Sequence, residues 1–384
     1  MRDRLLGLTP KDYDVATSAR PEIVLELYPR ARQVGVKFGV VLVRENGHDI
    51  EVASFRCDGP YSDGRRPDHI AFGTAEQDAR RRDFTINGLF LDPLQGEVID
   101  YVGGQDDLAA AVIRTIGPAA QRFDEDHLRM LRAVRFASRL NFTVESTTFA
   151  EMSRLAGQLR HISAERIAME LAGILMPPTR SIGWRLLTGT GLCHHLVADW
   201  TPESTEQHTI GARLTALPAE PISFALALAS LWAARQPAEA RTFARRMRCS
   251  NRDLRAVYWL LTKLAEVQDR DRLELAAVKR MLADPDWPML PPLLFAALNA
   301  DGADLAPYAR LLQRVATIPK ENIAPPPLLS GDDILALGVP AGRQLGQIVD
   351  LLYAAQLNEE ITVRSEAEAL VRRWQLENKS KSAS

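Results

Sequence analysis

The chain has 384 residues, of which 46% are hydrophobic and 25% charged, with a formal net charge of −2 at pH 7. This composition is typical of globular domains, and with no overall basic field any nucleic-acid contact must depend on local arginine clusters. Three widely spaced cysteines argue against a disulfide framework or a zinc knuckle and favour a reducing cytoplasm, and no apolar run is long enough to span a bilayer.

The first notable segment, 11–17, carries two carboxylates, Asp12 and Asp14, separated by one residue. In an extended strand, residues i and i+2 face the same side, so both carboxylates would stand together. Their repulsion calls for a cation, and Mg²⁺ takes oxygen ligands while leaving positions open for phosphates. The alternative is a solvated turn or edge strand.

The following residues predict a mixed α/β region. A short helix is expected over 18–28, with Pro21 in its first turn, and strands over 34–43 and 49–55. Asn46-Gly47 is a strong hairpin signal between these strands. Glu51 lies in the middle of the second strand, where it would be a third metal ligand if the hairpin lies beside Asp12 and Asp14; otherwise it is a solvent-facing side chain.

A long polar loop over 56–77 precedes Asp78-Ala79-Arg80-Arg81-Arg82-Asp83, in which acids flank three consecutive arginines. Arginine forks bind phosphate oxygens at two points, so this cluster is suited to a triphosphate. A solvated helix face is the alternative.

Helical spacing continues through 122–136, which predicts one helix with Asp126 and Arg129 as neighbours on one face. There are two interpretations of this pair: the residues form an ordinary intrahelical ion pair, or they recognise the base of a nucleotide. An acceptor beside a donor matches the edges of cytosine and adenine and mismatches guanine and uracil, and mispaired buried polar groups give discrimination. Further helices are expected from Ile182 to about Thr317, followed by a stiff proline-containing linker over 318–327.

Several of these motifs together resemble a known family. Segments 2–17, 51–56 and 81–87 are similar to the head of class II tRNA nucleotidyltransferases, which are the CCA-adding enzymes with bacterial poly(A) polymerases as close kin, in the polymerase-beta-like superfamily. Glu125-Asp126-x-x-Arg129 resembles the family motif that selects CTP and ATP. His161–Ile167 resembles the neck motif and Leu329–Gly346 the tail module.

The resemblance implies an α+β fold with a small mixed α/β head followed by an all-helical neck, body and tail. The expected boundaries are 1–112 for the head, 113–178 for the neck, 179–317 for the body and 328–376 for an RNA-binding tail. In the family, a strand ending in Gly-Gly-x-Val-Arg-Asp leads into this region, and Met1 stands at the position of that valine. The head is therefore expected to be N-terminally incomplete, without the glycines that let backbone amides approach a triphosphate.

The implied activity is template-independent addition of CMP and AMP to tRNA 3′ ends, with release of pyrophosphate. Asp12, Asp14 and Glu51 would be catalytic, with Asp12 and Asp14 binding Mg²⁺. The nucleotide-binding residues would be Arg2, Arg82, Asp83, Asn87, Asp126, Arg129, Arg132 and Arg135. Expected partners are tRNA, CTP and ATP, with no membrane and no stable protein partner. The alternatives are a poly(A) polymerase, an enzyme adding only part of CCA, and an inactive RNA-binding homologue.

Overall fold

The computed structural model describes residues 1–10, 13–33, 39–59, 69–196, 202–269 and 273–381. It forms two compact units, one made of Met1–Ala227 and Phe243–Ser250, the other of Leu228–Thr242 and Asn251–Ser384. Within the described ranges, no helix is both long and apolar enough for a membrane span.

Short strands occur only in the N-terminal part of the described chain. They are β1 (Val15–Thr17), β2 (Arg32–Gln33), β3 (Val40–Glu45), β4 (His48–Ser54), β5 (Arg56–Asp58), β6 (Ile70–Phe72), β7 (Leu89–Leu91), β8 (Val98–Asp100), β9 (Val112–Ile113) and β10 (Thr143–Val144). The largest sheet has the order β1-β4-β3-β2, in which only the β1–β4 pair is parallel.

Helices make up most of the remainder. In the first 200 residues they are α1 (Arg2–Leu5), α2 (Pro21–Leu27), α3 (Ala75–Arg80), α4 (Gly104–Ala109), α5 (Ala119–Glu125), α6 (Leu128–Leu140), α7 (Ser146–Leu155), α8 (Ala164–Leu175) and α9 (Arg180–Gly189). They continue as α10 (Ser204–Ala216), α11 (Phe224–Leu231), α12 (Pro237–Arg246), α13 (Asn251–Asp269), α14 (Leu275–Ala283), α15 (Leu290–Ala300), α16 (Ala306–Ala316), α17 (Gly331–Ala336), α18 (Arg343–Leu357) and α19 (Arg364–Lys381). The predicted α+β class is confirmed.

One face of the four-stranded sheet is buried against a helix, and the other face is uncovered. Val41 and Val43 of β3 are buried with Val24 of α2, and Val52 of β4 packs against them. Side chains alternate between the faces of a strand, so Glu51 points away from this core. The sequence pattern thus directs a carboxylate to the uncovered face.

The hairpin prediction is confirmed at its turn. Asn46 and Gly47 both have positive φ, at 50° and 81°, which is the left-handed geometry that a two-residue β-hairpin requires. The first strand of the hairpin, β3, continues to Glu45, two residues beyond its predicted end, while residues 34–38 of the predicted strand lie outside the described ranges.

The single helix predicted over 122–136 is wrong. Helix α5 ends at Glu125, Asp126 is extended with φ −153° and ψ 104°, and α6 begins at Leu128. The Asp126 carboxylate accepts the Leu128 N–H at 3.1 Å, because a short polar side chain competes for backbone donors and favours helix ends over helix interiors. Asp126 and Arg129 are therefore not neighbours on one helical face.

The end of the chain, in the second unit, has its own small core. Ile334, Ile348 and Val371 are fully buried, and they come from α17, α18 and α19 respectively. A capping box begins α17: Ser330 Oγ accepts the Asp333 N–H at 3.1 Å, and the Asp333 carboxylate accepts the Ser330 N–H at 2.8 Å.

Candidate active site

A groove of about 310 Å³ in the first unit gathers much of the predicted site. Its walls come from α1, the residue before β1, the segment after α3, and α6. The lining residues are Met1, Arg2, Asp3, Pro10, Asp14, Arg82, Ile86, Asn87, Leu89, Arg135, Phe136 and Arg139. Five predicted site residues are among them: Arg2, Asp14, Arg82, Asn87 and Arg135.

A larger cavity of about 800 Å³ lies beside β5, α3 and α5, and it contains none of the predicted site residues. Its arginines are each paired with an acid: Arg80 with Glu76, Arg81 with Asp78, and Arg122 with Glu125. The smaller groove is therefore the candidate active site.

Asp14 brings a carboxylate to the groove. It is exposed and directly precedes β1, in which Val15 is aligned with Val52 of β4. Extending this parallel register by one residue sets Asp14 beside Glu51, which is also exposed. Two carboxylates at neighbouring positions are hard oxygen donors of the kind that Mg²⁺ takes, so these residues fit the predicted ion. Asp12 lies outside the described residues, and no group of three potential metal ligands occurs among those described.

Asp83 is the buried centre of the site. Its Oδ2 accepts hydrogen bonds from Arg132 Nε at 2.7 Å, and its Oδ1 accepts from Asn87 Nδ2 at 3.0 Å and from the Phe84 N–H at 2.8 Å. Asn87 Oδ1 in turn accepts from Arg2 Nη1 at 2.7 Å. One carboxylate thus connects α6 to the head and, through Asn87, to α1.

The charges of this pair are mutually stabilised. Burial disfavours the ionised form of Asp83, but Arg132 and the hydrogen bonds from Asn87 and Phe84 outweigh that cost and hold its pKa below the ordinary value. Burial likewise opposes the charge of Arg132, while Asp83 raises the pKa of that guanidinium. Both groups are therefore charged at neutral pH.

Arg82, which also lines the groove, is fixed by contacts of its own. Its Nη2 lies 2.9 Å from Asp78 Oδ2, its Nη1 donates to the Asn87 carbonyl at 2.9 Å, and its guanidinium stacks 4.5 Å from the Phe90 ring centroid. These contacts fix the planar guanidinium group of Arg82 and do not use all five of its N–H donors.

Phe136 forms a platform for three guanidinium groups. The guanidinium carbons of Arg2, Arg132 and Arg135 lie 4.8, 5.3 and 4.6 Å from its ring centroid. The negative face of an aromatic ring attracts cations, which reduces the cost of bringing these like charges together.

Arg135 is further oriented from α8. Its Nε donates to Glu170 Oε2 at 2.6 Å, and Gly173 gives its chain room, since a Cβ at that glycine would lie 2.5 Å from Arg135 Cδ.

The predicted base-reading pair is not joined. Asp126 Oδ2 accepts from Arg166 Nη2 at 2.7 Å, whereas Arg129 pairs with Glu125 and donates to the Arg122 carbonyl at 3.0 Å. Each residue is held by its own partner, and neither lines the groove.

The groove residues not predicted from the sequence include Phe136 and Arg139. Phe136 follows Arg135 directly, and Arg139 lies four residues after Arg135. Arginines at 132, 135 and 139 follow the i, i+3, i+7 spacing of one helical face, and that pattern is the signal that would have found Arg139.

Known proteins resemble the chain over nearly its whole length. Residues 1–114 match the poly(A) polymerase head domain, and residues 141–204 match the domain described as a probable RNA- and SrmB-binding site of polymerase A. The CCA-adding enzyme of Geobacillus stearothermophilus is 34% identical over 372 residues, covering 94% of this chain and 88% of the relative. That of Latilactobacillus sakei is 38% identical over 67% of this chain and 64% of the relative. The chain belongs to the family of CCA-adding enzymes.

Solved structures agree with this assignment. The Bacillus stearothermophilus CCA-adding enzyme in complex with CTP has a TM-score of 0.79 at 30% identity, covering 99% of this chain and 92% of that one. The Thermotoga maritima CCA-adding enzyme, complexed with tRNA, shares the fold with a TM-score of 0.68 at 19% identity, over 97% and 89% of the two chains. The predicted family and the predicted enzyme class, a nucleotidyltransferase, are confirmed.

We predict that the Asp83–Arg132 pair is a coupled unit. Asp83→Asn should lower the free energy of unfolding by about 2 kcal/mol, since charged hydrogen bonds are lost and Arg132 keeps a largely enclosed charge. Because Arg132 remains one-third exposed, the loss should fall below that of a fully buried pair. In a double-mutant cycle with Arg132→Met, the two losses should be less than additive by about 1 kcal/mol.

The same pair gives a pH dependence. The pKa of Asp83 is lowered by folding, so the pair stabilises the protein fully above the ordinary aspartate pKa, near 4, and loses this contribution as pH falls through the folded-state value. The stability difference between wild type and Asp83→Asn should therefore shrink below about pH 4. Denaturant unfolding at several pH values measures it, with the exposed Asp124→Asn as a control. In the double-mutant cycle, strictly additive losses of stability for Asp83→Asn and Arg132→Met would show that the pair is not coupled.

Proposed function

We propose that this protein adds CMP and AMP from CTP and ATP to tRNA 3′ ends without a template and releases pyrophosphate. The observation that carries the proposal is the groove in which Asp14 converges with Arg2, Arg82 and Arg135, within a chain similar over 94% of its length to a CCA-adding enzyme. Cytoplasmic location and the absence of a stable protein partner remain predictions.

The reacting groups follow from nucleotidyl transfer. The 3′ oxygen of the RNA forms a bond to the α-phosphorus, the bond from that phosphorus to the bridging oxygen breaks, and pyrophosphate leaves with the electron pair while the hydroxyl proton passes to water. CCA-adding nucleotidyltransferases generally depend on a divalent metal ion. We assign Mg²⁺ to Asp12 and Asp14, with Glu51 as the third carboxylate. When bound, Mg²⁺ lowers the pKa of the attacking hydroxyl and neutralises the leaving group.

The protein's own residues would position the nucleotide. We assign the phosphates and ribose to Arg2, Arg82, Asp83, Asn87, Arg132 and Arg135. Of these, Arg2, Arg82 and Arg135 present guanidinium groups to the groove, while Asp83 and Arg132 hold α6 against the head. Pre-oriented donors stabilise charge without reorganisation at the moment of reaction.

We assign base selection to Asp126 and Arg129. Their carboxylate and guanidinium are each held by a separate partner, so an acceptor and a donor are fixed in position rather than neutralised by each other. We further propose that the head extends over 1–112 and the neck over 113–178, and that the body over 179–317 and the tail over 328–376 bind tRNA.

The activity is tested by incubating the protein with single radiolabelled nucleotides and tRNA that ends before CCA or after its first two residues. We expect CMP on the first tRNA, AMP on the second, and no further extension. A long run of adenosine would favour a poly(A) polymerase, AMP alone would favour an A-adding enzyme, and no incorporation with retained tRNA binding would favour an inactive homologue.

The metal assignment predicts that Asp12→Ala or Asp14→Ala lowers nucleotide incorporation roughly 100-fold or more, since metal-based charge stabilisation supplies several kcal/mol. tRNA binding should survive, and Glu51→Ala should cost less because Glu51 is placed less directly. Asp49→Asn, at the exposed start of β4, is the matched control. Near-normal Mg²⁺-dependent turnover in either Asp12→Ala or Asp14→Ala would contradict the assignment.

The base-reading assignment predicts that Asp126→Ala relaxes the selection against GTP and UTP by about 1–3 kcal/mol, as for one lost polar contact to a base edge. The measurement is the ratio of kcat/KM for CTP and for UTP, with tRNA affinity recorded in parallel. Glu165→Ala, in the neck motif and paired with Arg248 at the surface, is the control. Unchanged selectivity in Asp126→Ala would make Asp126 a structural residue.

A further inference from the structure

Arg139 is the last arginine of a row along α6. Arg132, Arg135 and Arg139 share one face of the helix; the first is bound to Asp83, and the other two line the groove. The row therefore begins at the Asp83–Arg132 ion pair and ends at Arg139, in the final turn of α6.

Arg139 differs from the other groove arginines in its pairing. Arg2 pairs with Asp3 at 2.6 Å, Arg82 with Asp78, and Arg135 with Glu170. Across the described ranges, Arg139 forms no ion pair, and the residue is exposed. A solvated surface arginine would look similar in isolation, but this one lies on the wall of a groove already lined by cations.

The position of Arg139 matches one end of the proposed nucleotide. Arg129, assigned to the base, and Arg139 are ten residues apart, which is about 15 Å along an α-helix. Helical side chains lean toward the N-terminus, so the Arg139 guanidinium reaches back over the preceding turn, toward Arg135. The spacing of Arg129 and Arg139 along the helix is comparable with the length of an extended nucleoside triphosphate.

We infer that Arg139 binds the distal phosphates of the incoming nucleotide, the group that leaves as pyrophosphate. This inference rests on the proposed function, since it takes the groove as the nucleotide site. The β- and γ-phosphates carry most of the charge of the triphosphate, and a guanidinium without a carboxylate partner meets that charge without first breaking an ion pair.

The experiment compares the affinity of the full-length protein for CTP and for CMP, in the presence of Mg²⁺ and without RNA. Arg139→Ala should weaken CTP binding about 10-fold, as expected for one charge-assisted contact, and leave CMP binding unchanged. The inhibition constant of pyrophosphate should rise in parallel. Arg139→Lys should recover part of the loss, because it keeps the charge without the two-point fork.

Arg185→Ala is the matched control, since Arg185 is an exposed arginine on α9 that does not line the groove, and it should bind CTP normally. Equal losses of CTP and CMP affinity, or no loss, would overturn the inference. Weaker tRNA binding with unchanged CTP binding would also overturn it, and would assign Arg139 to the RNA backbone. If wild type binds CTP but adds no nucleotide to tRNA, the proposed function fails while the phosphate assignment is still measured.

Discussion

The ion pair between Asp83 and Arg132 is the interaction on which the candidate site depends. Arg2, Arg132 and Arg135 surround one phenyl ring, and three like charges at such spacing repel unless acids lie among them. Asp83 neutralises the charge of Arg132 directly and orients Asn87, which binds Arg2. Without this buried carboxylate, the head would lose its ion pair to α6, and the arginine cluster would keep only Glu170, the partner of Arg135, as a buried acid among the described residues that it contacts.

The break between α5 and α6 has a similar importance. A continuous helix would carry Asp126 and Arg129 on one face, where they would pair with each other. The extended conformation at Asp126 instead turns its carboxylate toward Arg166 of α8, forty residues later, while Arg129 turns back toward Glu125. The same helix α6 then carries Arg132, Arg135 and Arg139 on one face, and the last two line the groove.

Features set by neighbouring residues were predictable from the sequence, and those set by distant partners were not. Asn46-Gly47 identified the hairpin, because left-handed geometry at both turn positions is a local requirement. The groove residues came from motif resemblance, which does not say how they contact one another. The helix break was missed because apolar periodicity continues through 122–136, and only the carboxylate of Asp126 competes with it. Residue spacing showed neither the aromatic platform at Phe136 nor the alignment of Asp14 with Glu51, since both arise from packing and strand register.

Existing partners at Asp126 and Arg129 do not prevent these residues from reading a base. A carboxylate has about four acceptor sites, and the bonds from Arg166 and the Leu128 N–H leave room for an amino donor. A guanidinium has five N–H donors, and the bonds of Arg129 to Glu125 and to the Arg122 and Arg81 carbonyls leave others for a ring nitrogen. Because both groups are already fixed, neither can rotate to satisfy a mismatched edge. A wrong base would then leave polar groups unpaired. The free-energy cost is larger than for two flexible side chains, which could rotate to form other hydrogen bonds. We propose that these partners are the source of the base selectivity assigned to the two residues.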